Sequence, residues 1–265
     1  MPRSLRLLLA AAGLAGFAAF APSIGAQSRM PHDGTEVFAR MSKAYAKGWF
    51  TTLTFSQTTT IRMRDGRDTV QTWYETLRFT PATGTRIRID VAPLSAGNAT
   101  ISTWDSTWVL RGGALSATRG DGNPFLPLVM GAYLQPPERT AREVAPLGID
   151  LTKIHAAVWD DRVAWVVGAS NPCDSTSAQF WVDAERLLVV RMVLAAGAGR
   201  PPLDIRLDKF MPVGKGGWLA TRVEMTSGGQ RRQLEEYHDW KGNAGIDAAL
   251  MDAATAATAK HWAKK

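Results

Sequence analysis

The pattern of apolar and polar positions over most of the chain predicts antiparallel β-strands. Residues 85–91 read Thr-Arg-Ile-Arg-Ile-Asp-Val, so charged and apolar side chains alternate along the stretch. A period of two places the apolar side chains on one face of a strand and the charged ones on the other. The pair Asp65-Gly66, between two such stretches, is a typical hairpin turn. The chain is therefore expected to fold largely as a meander of strands.

This pattern predicts about ten strands, and three other stretches are predicted to be helices, the first of them from its helical spacing. About ten strands are expected from twelve candidate stretches, which are residues 53–63, 69–79, 85–91, 99–103, 107–111, 153–159, 162–168, 178–183, 187–194, 203–212, 218–227 and 230–240. The predicted helices cover residues 36–47, 124–135 and 246–262, and the glycine-bounded residues 112–122 are predicted to be a loop region. An antiparallel sheet of this length has to curl or close. We therefore expect a mostly β (α+β) fold, an antiparallel unclosed half-barrel of about ten strands with helices covering the concave face.

The first 26 residues have the three-part pattern of a cleavable secretory signal peptide. Arg3 and Arg6 precede an apolar run over residues 7–20, and small residues lead up to Ala26. A membrane anchor is the alternative, but a span needs roughly 20 apolar residues and this run is shorter. No Cys stands at the predicted cut, which Gln27 follows, so the cut offers no site for lipid attachment. We expect cleavage after Ala26 and a mature single domain over residues 27–265 outside the cytoplasm.

Charge and cysteine content exclude some classes of function. The chain has a formal net charge of +7, and its Lys and Arg are spread along it without a block. Nucleic acid is therefore not an expected partner, whereas an anionic membrane surface or an acidic partner suits the charge. Cys173 is the single Cys of the sequence, so no internal disulfide can form.

Tryptophan is abundant, with ten Trp against four Tyr. Large aromatic side chains either fill a core or line a concave apolar site. The apolar stretch Phe125-Leu126-Pro127-Leu128-Val129-Met130 is similarly open to two interpretations, a mobile helical lid or a plain core helix.

The order of several short motifs resembles the LolA/LolB superfamily of periplasmic lipoprotein carriers, in the branch of outer-membrane lipoprotein-sorting proteins. After a leading helix, the motifs in chain order are Phe55-Ser56-Gln57, Arg86-Ile87-Arg88-Ile89-Asp90, Trp104-Asp105-Ser106-Thr107-Trp108-Val109, Gln179-Phe180-Trp181-Val182-Asp183, Gly217-Trp218-Leu219 and Glu236-Tyr237-His238-Asp239-Trp240. The likeness extends over nearly the whole mature chain.

The resemblance implies an unclosed barrel whose helices plug an apolar cavity that holds acyl chains of lipoproteins or related lipids. It also implies a periplasmic monomer without a cofactor, which works with a membrane-bound exporter or receptor. Arg86 and Arg88 are the nearest candidates for the arginine that gates the cavity in the carrier. The residues expected to line the cavity are Phe55, Trp73, Phe79, Arg86, Arg88, Trp104, Trp108, Phe125, Met130, Trp165 and Trp181.

An envelope sensor or protein-binding module of the same fold is the alternative function, and an enzyme is not expected. His155 is near Asp160 and Asp161 in sequence, but no Gly-x-Ser-x-Gly elbow accompanies it. Two His and a carboxylate at metal-binding spacing are also absent from the sequence.

Overall fold

The computed structural model describes residues 29–197 and 199–263, and the predicted signal peptide lies outside these residues. Thirteen antiparallel strands form one sheet in the described part of the chain. The strands are β1 Thr52–Arg62, β2 Asp68–Thr80, β3 Gly84–Val91, β4 Ala99–Ser102, β5 Thr107–Arg111, β6 Ala114–Arg119, β7 Ile154–Trp159, β8 Arg162–Val167, β9 Gln179–Asp183, β10 Val189–Leu194, β11 Leu203–Val213, β12 Gly217–Ser227 and β13 Gln230–Gly242.

The order of strands across the sheet is β6-β5-β4-β3-β2-β1-β13-β12-β11-β10-β9-β8-β7. All neighbours except β1 and β13 follow one another in the sequence, so short hairpins connect most of the sheet. The edge strands β6 and β7 do not pair with each other, which leaves the barrel open. The expected unclosed antiparallel half-barrel is thus confirmed, with thirteen strands where about ten were predicted.

Helix α1, Gly34–Tyr45, begins where the Asp33 side chain accepts a hydrogen bond from the Glu36 amide at 2.8 Å. A side-chain acceptor at this position satisfies one of the free amides of the first helical turn. Val37, Phe38 and Met41 are completely buried and form one face of the helix, as their spacing requires. This face packs on the sheet, where the Phe38 ring stacks on Phe180 at 5.3 Å.

Two shorter helices complete the cover of the concave face. A π-helical turn, Pro127–Gly131, leads into α2, Ala132–Leu134, and α3 spans Pro137–Val144. Their buried side chains join α1 and the inward side chains of the sheet in one large apolar core.

Three elements differ from the sequence-based prediction. Residues 112–122 contain strand β6, whose side chains are all exposed, so that no apolar alternation marks it. A new helix, α3, begins at Pro137, two residues after the end of the helix predicted over residues 124–135, because proline is tolerated in the first turn of a helix.

The predicted C-terminal helix over residues 246–262 is wrong. Only a 3₁₀ turn, Ala248–Met251, forms there, and the chain continues in turns. Leu250, Met251, Ala256 and His261 are buried, and they pack on the side of the sheet that faces away from the helices. Docking of these side chains outweighs the helix propensity of the alanines, which is only a weak preference.

Candidate functional site

A cavity lies between the concave face of the sheet and the segment that follows β6. We call residues 125–134 the roof segment; it contains the π-helical turn and α2. Phe125, Leu126, Val129 and Tyr133 of the roof segment line the cavity. The Phe125 amide donates a hydrogen bond to Asn123 Oδ1 at 3.0 Å. This bond holds the start of the roof segment in place.

The sheet supplies the floor of the cavity through alternate residues of strands on both sides of β1. Lining residues include Leu53 and Phe55 of β1, Leu77 of β2, Ile87 and Ile89 of β3, and Val223 and Met225 of β12. Members of each pair are two residues apart, as side chains on one face of a strand must be. Among the described residues the lining contains no Lys, Arg or His, so the walls favour apolar ligands.

Aromatic rings close one part of the wall. The Trp49 ring stacks on Tyr133 at 3.8 Å and on Phe50 at 5.3 Å. The Phe55 ring stacks on Tyr237 at 4.4 Å. The Tyr133 hydroxyl accepts a hydrogen bond from the Val189 amide at 3.2 Å, so the roof segment is tied to the sheet at the start of β10.

The space enclosed is about 120 Å³. Pockets for drug-sized ligands have volumes of roughly 300–1,000 Å³, so the cavity as it stands accommodates only a small part of a long acyl chain. A larger ligand requires the roof segment to move away from the sheet.

Two carboxyl groups stand in the otherwise apolar lining. Glu75 of β2 and Glu235 of β13 flank β1 and are 5% and 7% exposed. Burial raises the pKa of Glu235, and burial together with the negative charge of Glu235 raises the pKa of Glu75 well above its usual range. Desolvation and a like charge both disfavour the ionised form of an acid, so the pair retains protons where exposed glutamates are ionised.

The two carboxyl groups differ in their hydrogen bonds. Glu235 accepts from the Tyr237 hydroxyl at 2.7 Å and from Gln233 Nε2 at 2.6 Å. Glu75 has no hydrogen bond or ion pair from its carboxyl group to any other described residue. Since hydrogen bonds to a carboxylate stabilise its ionised form, the pKa of Glu75 is raised more strongly than that of Glu235.

Of the eleven residues predicted to line the cavity, Phe55 and Phe125 do so. Phe79, Met130 and Trp165 belong to the same apolar core but not to the cavity wall. Trp165 lies under the Arg40 guanidinium, 5.0 Å from the ring centroid.

Arg86 and Arg88, the candidates for a gating arginine, lie on the opposite face of the sheet. They alternate along β3 with Ile87 and Ile89, which face the cavity. Arg88 forms a two-bond ion pair with Asp90, both bonds at 2.7 Å, and donates to the Leu250 carbonyl at 3.1 Å. The prediction that these arginines line the cavity is therefore wrong. Neighbouring side chains of a strand point to opposite faces of the sheet, so arginines that alternate with cavity-lining residues face away from the cavity.

The other predicted tryptophans also lie outside the cavity wall. Trp108 lies beneath the Arg86 guanidinium, with 5.8 Å between them, and Trp181 packs against Trp159 and Arg191. Trp73 is half-buried on β2 and donates to Gln71 Oε1 at 2.8 Å, and Trp104 is half-buried in the turn between β4 and β5. Their packing with other protein groups explains part of the tryptophan surplus.

Sequence reasoning missed the most distinctive site residues, Glu75, Glu235 and Tyr237. A signal for Glu75 was present, since it shares the face of β2 that carries Leu77 and Phe79. A carboxylate on a strand face that otherwise carries apolar side chains is unusual, because acids are rarely buried.

The described residues show no cluster of three or more His, Cys, Asp or Glu that could hold a metal ion. His155 Nδ1 lies 2.8 Å from the Ala169 carbonyl oxygen.

No helix within residues 29–197 and 199–263 is long and apolar enough to cross a membrane.

The fold is that of the LolA/LolB-like proteins. A DUF1329 family protein from Desulfovibrio piger has 13% sequence identity with a TM-score of 0.58, covering 83% of this chain and 96% of that one. A putative outer membrane lipoprotein-sorting protein domain from Vibrio parahaemolyticus has 10% identity with a TM-score of 0.57, covering 84% and 98%.

A LolA superfamily protein from Nitrosomonas europaea has 10% identity with a TM-score of 0.52, covering 83% of this chain and 97% of that one. Neither a protein-family model nor a curated protein matches the sequence. At these identities the similarity establishes the shared fold.

Proposed function

We propose that the protein is a periplasmic carrier that takes acyl chains of lipoproteins or lipids into the cavity and transfers them toward the outer membrane. The observation that carries this proposal is the lining, which is apolar and aromatic and lacks basic side chains among the described residues. Apolar area removed from water contributes roughly 25 cal/mol per Å², so such a wall favours hydrocarbon over a polar ligand. The predicted signal peptide and the LolA-like fold are consistent with this location and role.

Loading requires the roof segment to move, because the cavity of about 120 Å³ is too small for a whole acyl chain. The roof segment includes the short π-helical turn Pro127–Gly131. Such turns are frequent at functional sites. A carrier of this kind works with a membrane-bound exporter or receptor, which we propose as its partner.

The test is binding of alkyl chains to the purified protein. Native mass spectrometry of protein isolated from membrane-containing cells should detect co-purified lipid, and a fluorescent fatty-acid probe should bind and be displaced by unlabelled chains. Val129→Trp places a large ring in the cavity and should weaken binding at least tenfold. Val158→Trp is the matched control, because Val158 is 73% exposed on β7, and it should bind like the wild type.

The comparison is valid only if both variants are folded, which a cooperative unfolding transition shows. Absence of co-purified lipid together with absence of probe binding would refute the carrier function. Equal loss of binding in both variants would show that the probe does not report on the cavity.

The competing function is a protein-binding module of the envelope, and the small cavity volume is the observation that favours it. Such a module needs no space for cargo, so its roof segment stays closed. The same binding experiment separates the two functions, since only a carrier admits the probe.

A further inference from the structure

The cavity wall contains a carboxyl group that nothing in the described protein satisfies. Glu75 is 5% exposed, and its carboxyl group has no hydrogen-bond partner or ion pair among the described residues. Buried polar groups nearly always find a partner in the protein, water or a ligand. A partner for Glu75 is therefore to be sought in what the cavity receives.

The surroundings of Glu75 determine which partner fits. The titratable groups of the lining are Glu75 on β2, Glu235 and Tyr237 on β13, and Tyr133 on the roof segment. Tyr237 donates its hydroxyl proton to Glu235, and Tyr133 accepts from the Val189 amide. No Lys, Arg or His among the described lining residues balances the carboxyl groups, which favours the protonated form of Glu75, and that form has an O–H donor.

A second donor in the wall lacks a partner. Trp49 lines the cavity, and its indole Nε1 is buried without an acceptor among the described residues. An indole N–H can only donate. Both unsatisfied groups thus call for an acceptor in the ligand, and an ionised carboxylate acceptor would find no Lys, Arg or His among the described lining residues to balance its charge.

We propose that the cavity selects chains carrying a neutral carbonyl, as in an acyl ester or amide, and that Glu75 donates its O–H to the carbonyl oxygen. This inference rests on the proposed carrier function and specifies the chemical class of its cargo. A free fatty-acid anion is disfavoured because the apolar wall has no basic side chain among the described residues to balance its charge. No bond is made or broken in this recognition.

The test compares chains that differ only at the polar end. Monododecanoylglycerol and 1-O-dodecylglycerol have the same chain and the same glycerol, and only the first has a carbonyl. Calorimetric titration at neutral pH should show the ester binding about fivefold more tightly than the ether, the change expected for one hydrogen bond. Dodecanoate and dodecyltrimethylammonium serve as the anionic and cationic probes and should both bind more weakly than the ester.

Variants assign the preference to Glu75. Glu75→Leu should remove the difference between ester and ether, while Glu75→Gln should keep it, because an amide N–H also donates. Glu236→Leu is the control, since Glu236 alternates with Glu235 along β13 and faces away from the cavity. Thermal unfolding of each variant checks that the fold is kept.

The outcomes separate this inference from the carrier function. An ester–ether difference that survives in Glu75→Leu, or that is absent from the wild type, would overturn the role of Glu75 while leaving the carrier intact. Tightest binding of dodecyltrimethylammonium, lost in Glu75→Gln, would instead define a cation site and overturn the carbonyl assignment. If no chain binds to any variant, the carrier function itself fails and the inference with it.

Discussion

Arg88 was expected to gate the cavity, but in the structure it forms a buried ion pair with Asp90. The contribution of this ion pair to the free energy of unfolding can be measured. The two side chains are 8% and 6% exposed and joined by two bonds of 2.7 Å. His261 Nε2 lies 3.2 Å from Asp90 Oδ2. Burial alone would raise the pKa of Asp90, but its hydrogen bonds with Arg88 and His261 lower it, so the carboxylate remains ionised and charge-balanced.

Removing one partner leaves the other as an uncompensated buried charge. Among the described residues, Asp90→Leu leaves the guanidinium only its bond to the Leu250 carbonyl, and Arg88→Met leaves the carboxylate only His261. Each substitution should lower the free energy of unfolding by about 3–5 kcal/mol. The double variant replaces the pair by apolar side chains, which is often close to neutral, so we expect a coupling energy of at least about 3 kcal/mol.

Urea unfolding followed by far-UV circular dichroism measures these free energies. Arg67→Met is the control: Arg67 is also paired with an Asp two residues away at 2.7 Å, but its side chain is 84% exposed, and its loss should change stability little. Purely additive effects of the two buried substitutions would refute the reasoning. Weakened acyl-chain binding by folded Arg88→Met would refute the assignment of Arg88 to the opposite face.

Three further predictions concern the pH response, the core and the C-terminal segment. Because the folded protein holds protons on Glu75 that the unfolded chain releases above pH 4.5, wild-type stability should fall as pH rises through the raised pKa, by at most about 1.4 kcal/mol per pH unit for this group. Glu75→Gln should gain stability relative to the wild type over that window, and parallel thermal-unfolding curves against pH would contradict the burial argument. Phe38→Ala should cost about 3–5 kcal/mol, because the ring is fully buried and stacked on Phe180; in urea unfolding, a cost near that of an exposed-site change such as Val158→Ala would show that the helix does not pack there. His261→Ala should speed proteolytic cleavage within residues 246–263, detected by mass spectrometry, and an unchanged cleavage rate would mean that His261 does not hold this segment.

Much of the sheet could be predicted from the sequence because strand alternation is a local property. The stretch over residues 85–91 shows the period of two, and β3 forms at Gly84–Val91. Strand β6 could not be found this way, since all of its side chains are exposed. It forms by pairing with β5, and pairing depends on the backbone of another strand.

The side of the sheet on which the cavity lies could not be predicted from local sequence patterns. Alternation correctly separates the Arg86 face of β3 from the Ile87 face, but it does not say which face the helices cover. That choice is made by the apolar side chains of α1 and the roof segment, which bury themselves against Ile87 and its neighbours. The C-terminal segment covers the other face and hides Arg88, which a local pattern cannot foresee.

The sequence by itself thus determined a mostly β, antiparallel fold with a leading helix, because backbone period and turn chemistry act over a few residues. Only the tertiary structure decided that Glu75 and Glu235, 160 positions apart in the chain, share one apolar cavity. They meet because β1 lies between β2 and β13 in the sheet. The chemistry of the site arises from this long-range packing, since burial raises the pKa of both acids only when the sheet and the roof segment enclose them.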